Sequence, residues 1–201
     1  MIITQLSDAH IETASQTLAA AFANDPFVRY VLPDDKQFWR VWPQVCTHEL
    51  KNNVGYHASY VADEGRGGVS IWLPPDQSEK RGRMTLFDIV GLTMLLGIGA
   101  VQRFMTLGKA VDDAQPSEIA QTNWYYLSML GVSPDYQGQG VGGKLLQPIF
   151  EQADATGTLC YAEVFNERAV PFYKRHGFEV QPHSEPSSGL TFWTLLRRSQ
   201  S

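Results

Sequence analysis

The chain has 201 residues, 43% of them hydrophobic and 18% charged, with a formal net charge of −5. These values suit a folded domain with a full hydrophobic core and exclude a disordered chain. The one compact basic cluster, Lys80, Arg81 and Arg83, is too little for a nucleic-acid face, so a small-molecule partner is expected.

In chain order, residues 2–6 read as a short strand. Ile11, Ala14, Leu18, Ala21 and Phe22 then recur at helical spacing, with Ser7 as N-cap. Asp25–Pro26 ends that helix, because a residue before proline is disfavoured in helical geometry. A second helix is expected over 35–51, with a break or kink at Pro43. Residues 55–63 and 67–75 read as a hairpin around the turn "EGRGG". A polar connector leads to one or two apolar helices over 84–110, ended by "VDDAQPSE". Within them "IVGLTMLLGIGAV" is 13 residues long, short of the ~20 needed to span a bilayer, and reads as a buried or lid helix. The dense apolar run 124–132 predicts a central strand buried on both faces. A helix at 141–155, a strand at 158–164, a short helix at 167–176 and strands at 178–181 and 190–197 complete the pattern. This predicts one mixed α/β domain over 1–201 with its chemistry in the second half.

Cys46 and Cys160 have no metal spacing, and Cys160 sits in the apolar run "TLCYAEV" as a core thiol. With no signal-peptide pattern in "MIITQLSDAH", the expected location is cytoplasmic. No histidines pair at metal spacing, and no metal and no membrane are expected.

The stretch "YQGQGVGGKLL", residues 136–146, fits three phosphate-loop patterns. As a P-loop it lacks the Ser or Thr that holds Mg²⁺: Leu145 stands there, on an apolar helix face with Val141, Leu146 and Ile149. As a dinucleotide loop it comes late in the chain, and "SPDYQ" separates it from the preceding strand, although Glu163 stands where a ribose ligand would be sought. As a pyrophosphate loop of the Q-x-x-G-x-G kind it uses Gln137, Gly140 and Gly142. Free N–H groups of the helix start would face the anion, and the glycines would let the backbone approach it.

"LGVSPDYQGQGVGGKLL" followed by "AEVFNERAVPFYKRHGFEV" resembles the two core motifs of the GNAT superfamily of acetyl-coenzyme A-dependent N-acetyltransferases. "TLAAAFANDPFVRYVLP" and "VSIWLPP" extend the likeness toward the puromycin N-acetyltransferase group. The resemblance implies a GNAT-like acyltransferase fold, a mostly antiparallel sheet splayed between strands 4 and 5. Residues 123–181 would bind the cofactor; 1–110 would supply mainly the acceptor side and a lid. It implies a cofactor site of Leu130, Gly131, Val132, Gln137, Gly138, Gln139, Gly140, Val141, Gly142, Gly143, Asn166 and Tyr173. Position 137 is Gln where many members have Arg, so one charge is missing. Acetyl-CoA is the implied cosubstrate, a small amine the acceptor, and a homodimer is left open.

Transfer from a thioester needs a neutral amine, an oxyanion donor and a proton for the leaving thiolate. Tyr173 suits the last role. Glu163 is the base candidate, sharing a strand face with Tyr161 and Phe165, with a salt bridge to Arg168 or Arg175 as its structural alternative. On the acceptor side the resemblance implicates Asp25, Phe27 and Tyr30, and Trp72 joins them as a candidate. A cofactor-binding module without turnover and a nicotinamide-dependent enzyme are the competing readings.

Overall fold

The computed structural model describes residues 1–78, 91, 93–119, 123–181 and 190–200. Strands β1 (Ile3–Gln5), β2 (Tyr60–Ala62), β3 (Gly68–Leu73), β4 (Trp124–Val132), β5 (Leu159–Val164), β6 (Glu179–Val180) and β7 (Trp193–Arg197) form one sheet in the order β1-β2-β3-β4-β5-β7-β6. Every pair is antiparallel except β4 with β5, which is parallel.

The β4–β5 pairing is cut short. It runs from Trp124↔Leu159 to Leu127↔Ala162 and stops, although β4 continues to Val132 and β5 to Val164. The two strands therefore splay apart over their C-terminal ends, as the resemblance implied. On its other edge β4 carries a bulge: Ile71 faces Met129 and Trp72 faces Leu127, leaving Ser128 as the extra residue. A bulge bends and twists a strand, and bulges concentrate beside active sites.

Helices α1 (Ile11–Ala21), α2 (Pro26–Val31), α3 (Asp35–Asn53) and α4 (Ile98–Asp113) cover one face of the sheet, while α5 (Val141–Thr156) and α6 (Val170–Arg175) cover the other. The first face buries Leu18, Phe38, Cys46 and Leu50 against Val69 and Ile71. The second buries Leu146, Ile149 and Phe150 against Trp72, Cys160, Ala162 and Leu195.

Three expectations need correction. Helix α3 runs through Pro43 without interruption, because Phe38, Val41, Trp42, Cys46 and Leu50 are buried along it and that packing outweighs a local cost of ~3 kcal/mol. Asp25–Pro26 starts α2, whereas α1 already ends at Ala21: the Asp25 carboxylate accepts from the N–H groups of Phe27 (3.0 Å) and Val28 (3.2 Å), and proline suits the first helical position. Strand β4 is not buried on both faces. Only Trp124, Leu127 and Gly131 are fully buried, because much of the strand borders a cleft. Most of 84–92 lies outside the described residues, as do Leu86 and Phe87. Among the described residues no helix is long and apolar enough to cross a membrane.

Candidate active site

The splay opens into a cleft of about 2230 Å³. A single small-molecule site occupies ~300–1,000 Å³, so this cleft has room for a long cofactor and a second ligand. Its lining carries both signs of charge: Arg168, Arg175 and His176 come from the segment after β5, while Asp25, Glu49, Asp112 and Asp113, with His48 and Lys109, come from the helices before β4.

The glycine end starts at β4. After Val132, a turn at Pro134–Tyr136 leads to Gly138 and Gly140, with φ of +74° and +76°. These values lie in the left-handed region open to glycine, and a Cβ at either position would meet nothing within 4 Å. The space in front of this turn is therefore open. Gly140 caps α5 without any side-chain hydrogen bond, so the N–H groups of the first turn have no acceptor within the helix. Gly142 and Gly143 have a different reason to be glycine. A Cβ on Gly142 would come within 3.0 Å of the Phe172 ring, and one on Gly143 within 2.5 Å of His176 Nε2. Only bare backbone lets α6 close on the start of α5. These features fit a pyrophosphate: an open anion cradle at a helix N-terminus with cationic side chains beside it.

The glutamines of the loop brace it. Gln137 Nε2 donates to the Val132 carbonyl (3.2 Å), and Gln139 Nε2 donates to the Asp135 carbonyl (2.9 Å). Gln139 does not line the cleft, whereas Gln137, Gly138 and Gly140 to Gly143 do. His176 Nδ1–H donates to the Phe172 carbonyl (2.8 Å), which leaves Nε2 to face Gly143.

Where the two ends meet, Leu130, Gly131 and Val132 line the cleft from β4 and Glu163 and Asn166 from the end of β5. Asn166 caps the turn at Glu167–Ala169 by accepting from the Arg168 N–H (3.1 Å). Tyr173, on α6, lines the cleft and is 8% exposed. Burial pushes its phenol pKa up, and the nearby Asp25 carboxylate pushes it further. Glu163 is half-buried and is already engaged by a neighbour, so it is not a free carboxylate.

The carboxylate end is walled by aromatics. Phe27 contacts Phe165 (4.9 Å between ring centres) and Phe104 (6.0 Å), joining α2, the end of β5 and α4. Burial raises the pKa of Asp25, against the lowering effect of the Val28 and Phe27 N–H groups. Tyr30 and Trp72 do not line the cleft. Tyr30 packs beside Leu107 and Val111, and Trp72 is fully buried on the far side of the sheet against Phe150 (6.3 Å). The residues that the sequence reading missed here lie along α3. Trp42, Val45, Glu49 and Asn53 recur at helical spacing and all line the cleft. Among the described residues, Asn53 Oδ1 and the Trp42 indole N–H are buried with no partner. The available signal was Glu49 and Asn53 interrupting the apolar stripe of an otherwise packed helix.

Residues 98–180 match the family model described as an acetyltransferase (GNAT) domain. The match to an acetyltransferase (GNAT) domain thus spans the segment from α4 through β6, and the fold around it is one that N-acetyltransferases of known structure share. The match does not single out the puromycin N-acetyltransferase group within the superfamily.

Across its whole length the chain is similar to the Drosophila melanogaster polyamine N-acetyltransferase, with a TM-score of 0.68, 16% identity and 98% and 99% of the two chains covered. It is similar in the same degree to arylalkylamine N-acetyltransferase 2 of Aedes aegypti, with a TM-score of 0.68, 14% identity and 99% of each chain covered. By sequence it is 26% identical to an uncharacterized N-acetyltransferase of Schizosaccharomyces pombe over 84% of this chain and 70% of that one. It is also 30% and 24% identical to two probable serine/threonine-protein kinases of Dictyostelium discoideum, over 66% and 88% of its own length. The chain spans only 14% and 28% of the length of those two relatives.

Proposed function

We propose that the chain transfers the acetyl group of acetyl-CoA to a primary amine of a small, partly apolar acceptor, with both bound in the cleft at once. One observation carries this reading. A single cleft joins a glycine-lined basic end to a carboxylate-lined aromatic end, and the two meet at Tyr173 and the unpaired stretch of β4. An anionic cofactor and a cationic acceptor are the ligands such a division of charge suits. Proteins of similar fold are named for the acetylation of agmatine, polyamines and arylalkylamines, all amines.

The cosubstrate supplies an activated acetyl group as a thioester. The chain's own residues do the rest. The N–H groups at the start of α5 and the side chains of Arg168, Arg175 and His176 hold phosphate oxygens. Backbone groups of Leu130 to Val132, beyond the last β4–β5 pair, hold the extended arm and donate to the developing oxyanion. An alkylamine must lose a proton before it attacks, which costs about 4–5 kcal/mol at pH 7 for a pKa near 10.4. Asp25 takes that proton in this reading. It lines the acceptor end, and burial makes it a stronger base than an ordinary carboxylate. Glu163, which also lines the cleft, can relay a proton through water. Tyr173 holds its proton across the neutral range, because burial and Asp25 both disfavour the phenolate. It therefore acts as a hydrogen-bond donor to the leaving sulfur.

A cytoplasmic location fits two buried, unbridged thiols, Cys46 and Cys160. Calorimetry with coenzyme A tests the first half of the proposal, and micromolar binding is expected. Thiol release from acetyl-CoA over a panel of amines tests the second. Failure to bind coenzyme A at millimolar concentration overturns the reading; binding without thiol release leaves a cofactor-binding module.

A further inference from the structure

Most glycines that line the cleft have a visible reason to be glycine. Gly138 and Gly140 hold left-handed φ, and a Cβ on Gly131, Gly142 or Gly143 would lie 2.8, 3.0 or 2.5 Å from Leu18, Phe172 or His176. Gly108 has neither reason. It sits in the interior of α4 without a positive φ, and a Cβ there would meet nothing within 4 Å among the described residues. Glycine inside a helix costs stability, because it orders a more mobile backbone and brings no side chain to pack. The fold gains nothing from this glycine, so its use lies in the space that it leaves open.

That space belongs to the cleft, which half-buried Gly108 lines. One turn earlier, Phe104 lines it too and meets Phe27, and Phe27 meets Phe165. Residues four apart share a helix face, so Phe104 and Gly108 present one surface, a ring followed by a notch. The notch is held open. Leu107 and Val111 are buried in a cluster with Phe192, against which Phe27 and Phe165 also pack, so α4 is fixed in place beside the aromatic wall.

We propose that Gly108 is a specificity-determining residue: it leaves room for a branched or cyclic hydrocarbon group of the acceptor, which lies over it against Phe104 and Phe27. This rests on the N-acetyltransferase reading for the amine end of the acceptor. A side chain at position 108 would exclude such a group and let a linear amine pass. One methylene more or less in an apolar pocket changes selectivity by roughly 10–200-fold, so the effect is large enough to measure.

The test is calorimetry with cyclohexylmethylamine and n-propylamine, with and without coenzyme A. The wild-type chain is expected to prefer the cyclic amine at least fivefold. Gly108→Leu is expected to bind the cyclic amine at least tenfold more weakly than wild type, with n-propylamine within threefold and coenzyme A unchanged. Gly108→Ala fills less of the notch. It is expected to weaken the cyclic amine about threefold and to raise Tm by about 2–4 °C, because alanine suits a helix interior better than glycine. A wild-type chain without the preference overturns the proposal, and so does a Gly108→Leu variant that keeps it. A lower Tm in Gly108→Ala overturns it as well, since the fold itself would then need the glycine. Should Gly108→Leu fail to fold, Gly108→Ala decides on the same readings. Absence of coenzyme A binding, or of thiol release from acetyl-CoA with every amine, counts against the acetyltransferase reading, while the two affinities and the Tm still decide the role of Gly108.

Discussion

The two ends of the cleft are built by different means. The proposed cofactor end comes from two short stretches, 130–143 and 166–176, and its chemistry is mostly backbone: free N–H groups, left-handed glycines and a strand edge without a partner. The acceptor end draws on α1, α2, α3, α4 and the end of β5, and its chemistry is all side chain. Backbone chemistry serves a ligand that does not change, and needs glycine at fixed spacing to expose it. Side-chain chemistry from separate helices lets the acceptor be chosen by substitution without disturbing the turn that holds the phosphates.

The sharpest way to break this contrast is Gly140→Val. The position has φ +76°, where a β-branched residue is severely strained, and open space in front that the phosphates would occupy. Affinity for coenzyme A is expected to fall by a hundredfold or more, about 3 kcal/mol. Amine binding at the other end should change little. Calorimetry with each ligand separately checks both statements. Equal loss at both ends would mean that the two halves are not independent.

The same contrast explains what could be read from the sequence. The glycine turn and the helix after it were legible because a local motif and a helix start are written in consecutive residues, and Asn166 and Tyr173, named from the same motif, line the cleft. Leu145 was legible as core for the same reason, and it is fully buried. Trp72 was not placed correctly, because strand alternation tells that a side chain points to one face without saying which face bears the cleft. Glu49 and Asn53 were missed, because the meaning of a polar residue on α3 depends on Asp25 and β4, far away in sequence. Pro43 misled because local propensity was weighed without the buried face that overrides it.

Tyr173→Phe acts where the two ends meet. Removing the hydroxyl is expected to lower kcat about a hundredfold at saturating acetyl-CoA, with the KM for each substrate nearly unchanged. Because burial holds the phenol protonated well above neutrality, the loss should be the same from pH 6 to pH 9. A loss that grows toward low pH would assign the ionisation to another group. Asp25→Asn is a cleaner probe of the acceptor end, since asparagine caps a helix as well as aspartate does. The fold should persist while kcat/KM for the amine falls about thirtyfold, ~2 kcal/mol. Its deficit should shrink as pH rises and more of the amine is already neutral. Coenzyme A affinity should not move.

The smallest expected effect concerns how α5, the helix proposed to present the phosphate site, is held to the sheet. Near its C-terminal end Asp154 accepts two hydrogen bonds from Arg197 of β7, both 2.8 Å, and a third from the Gln200 N–H (2.8 Å). The Arg197 side chain is 4% exposed and lies over the Phe150 ring at 4.2 Å. The guanidinium holds the Asp154 carboxyl below the usual carboxylate range. A carboxyl whose pKa is lower folded than unfolded adds stability above its unfolded value near 3.9, and that stability is lost as pH falls through the folded value. Asp154→Asn should therefore lower stability by about 1.5 kcal/mol at pH 7 and Tm by roughly 3–6 °C. The difference from wild type should close progressively below about pH 4. Differential scanning calorimetry across pH 3–7 measures it. At temperatures where the variant is folded, both ends of the cleft should bind as in wild type. A variant that loses coenzyme A affinity while keeping amine affinity would show that this ion pair sets the position of α5 as well as the stability of the fold.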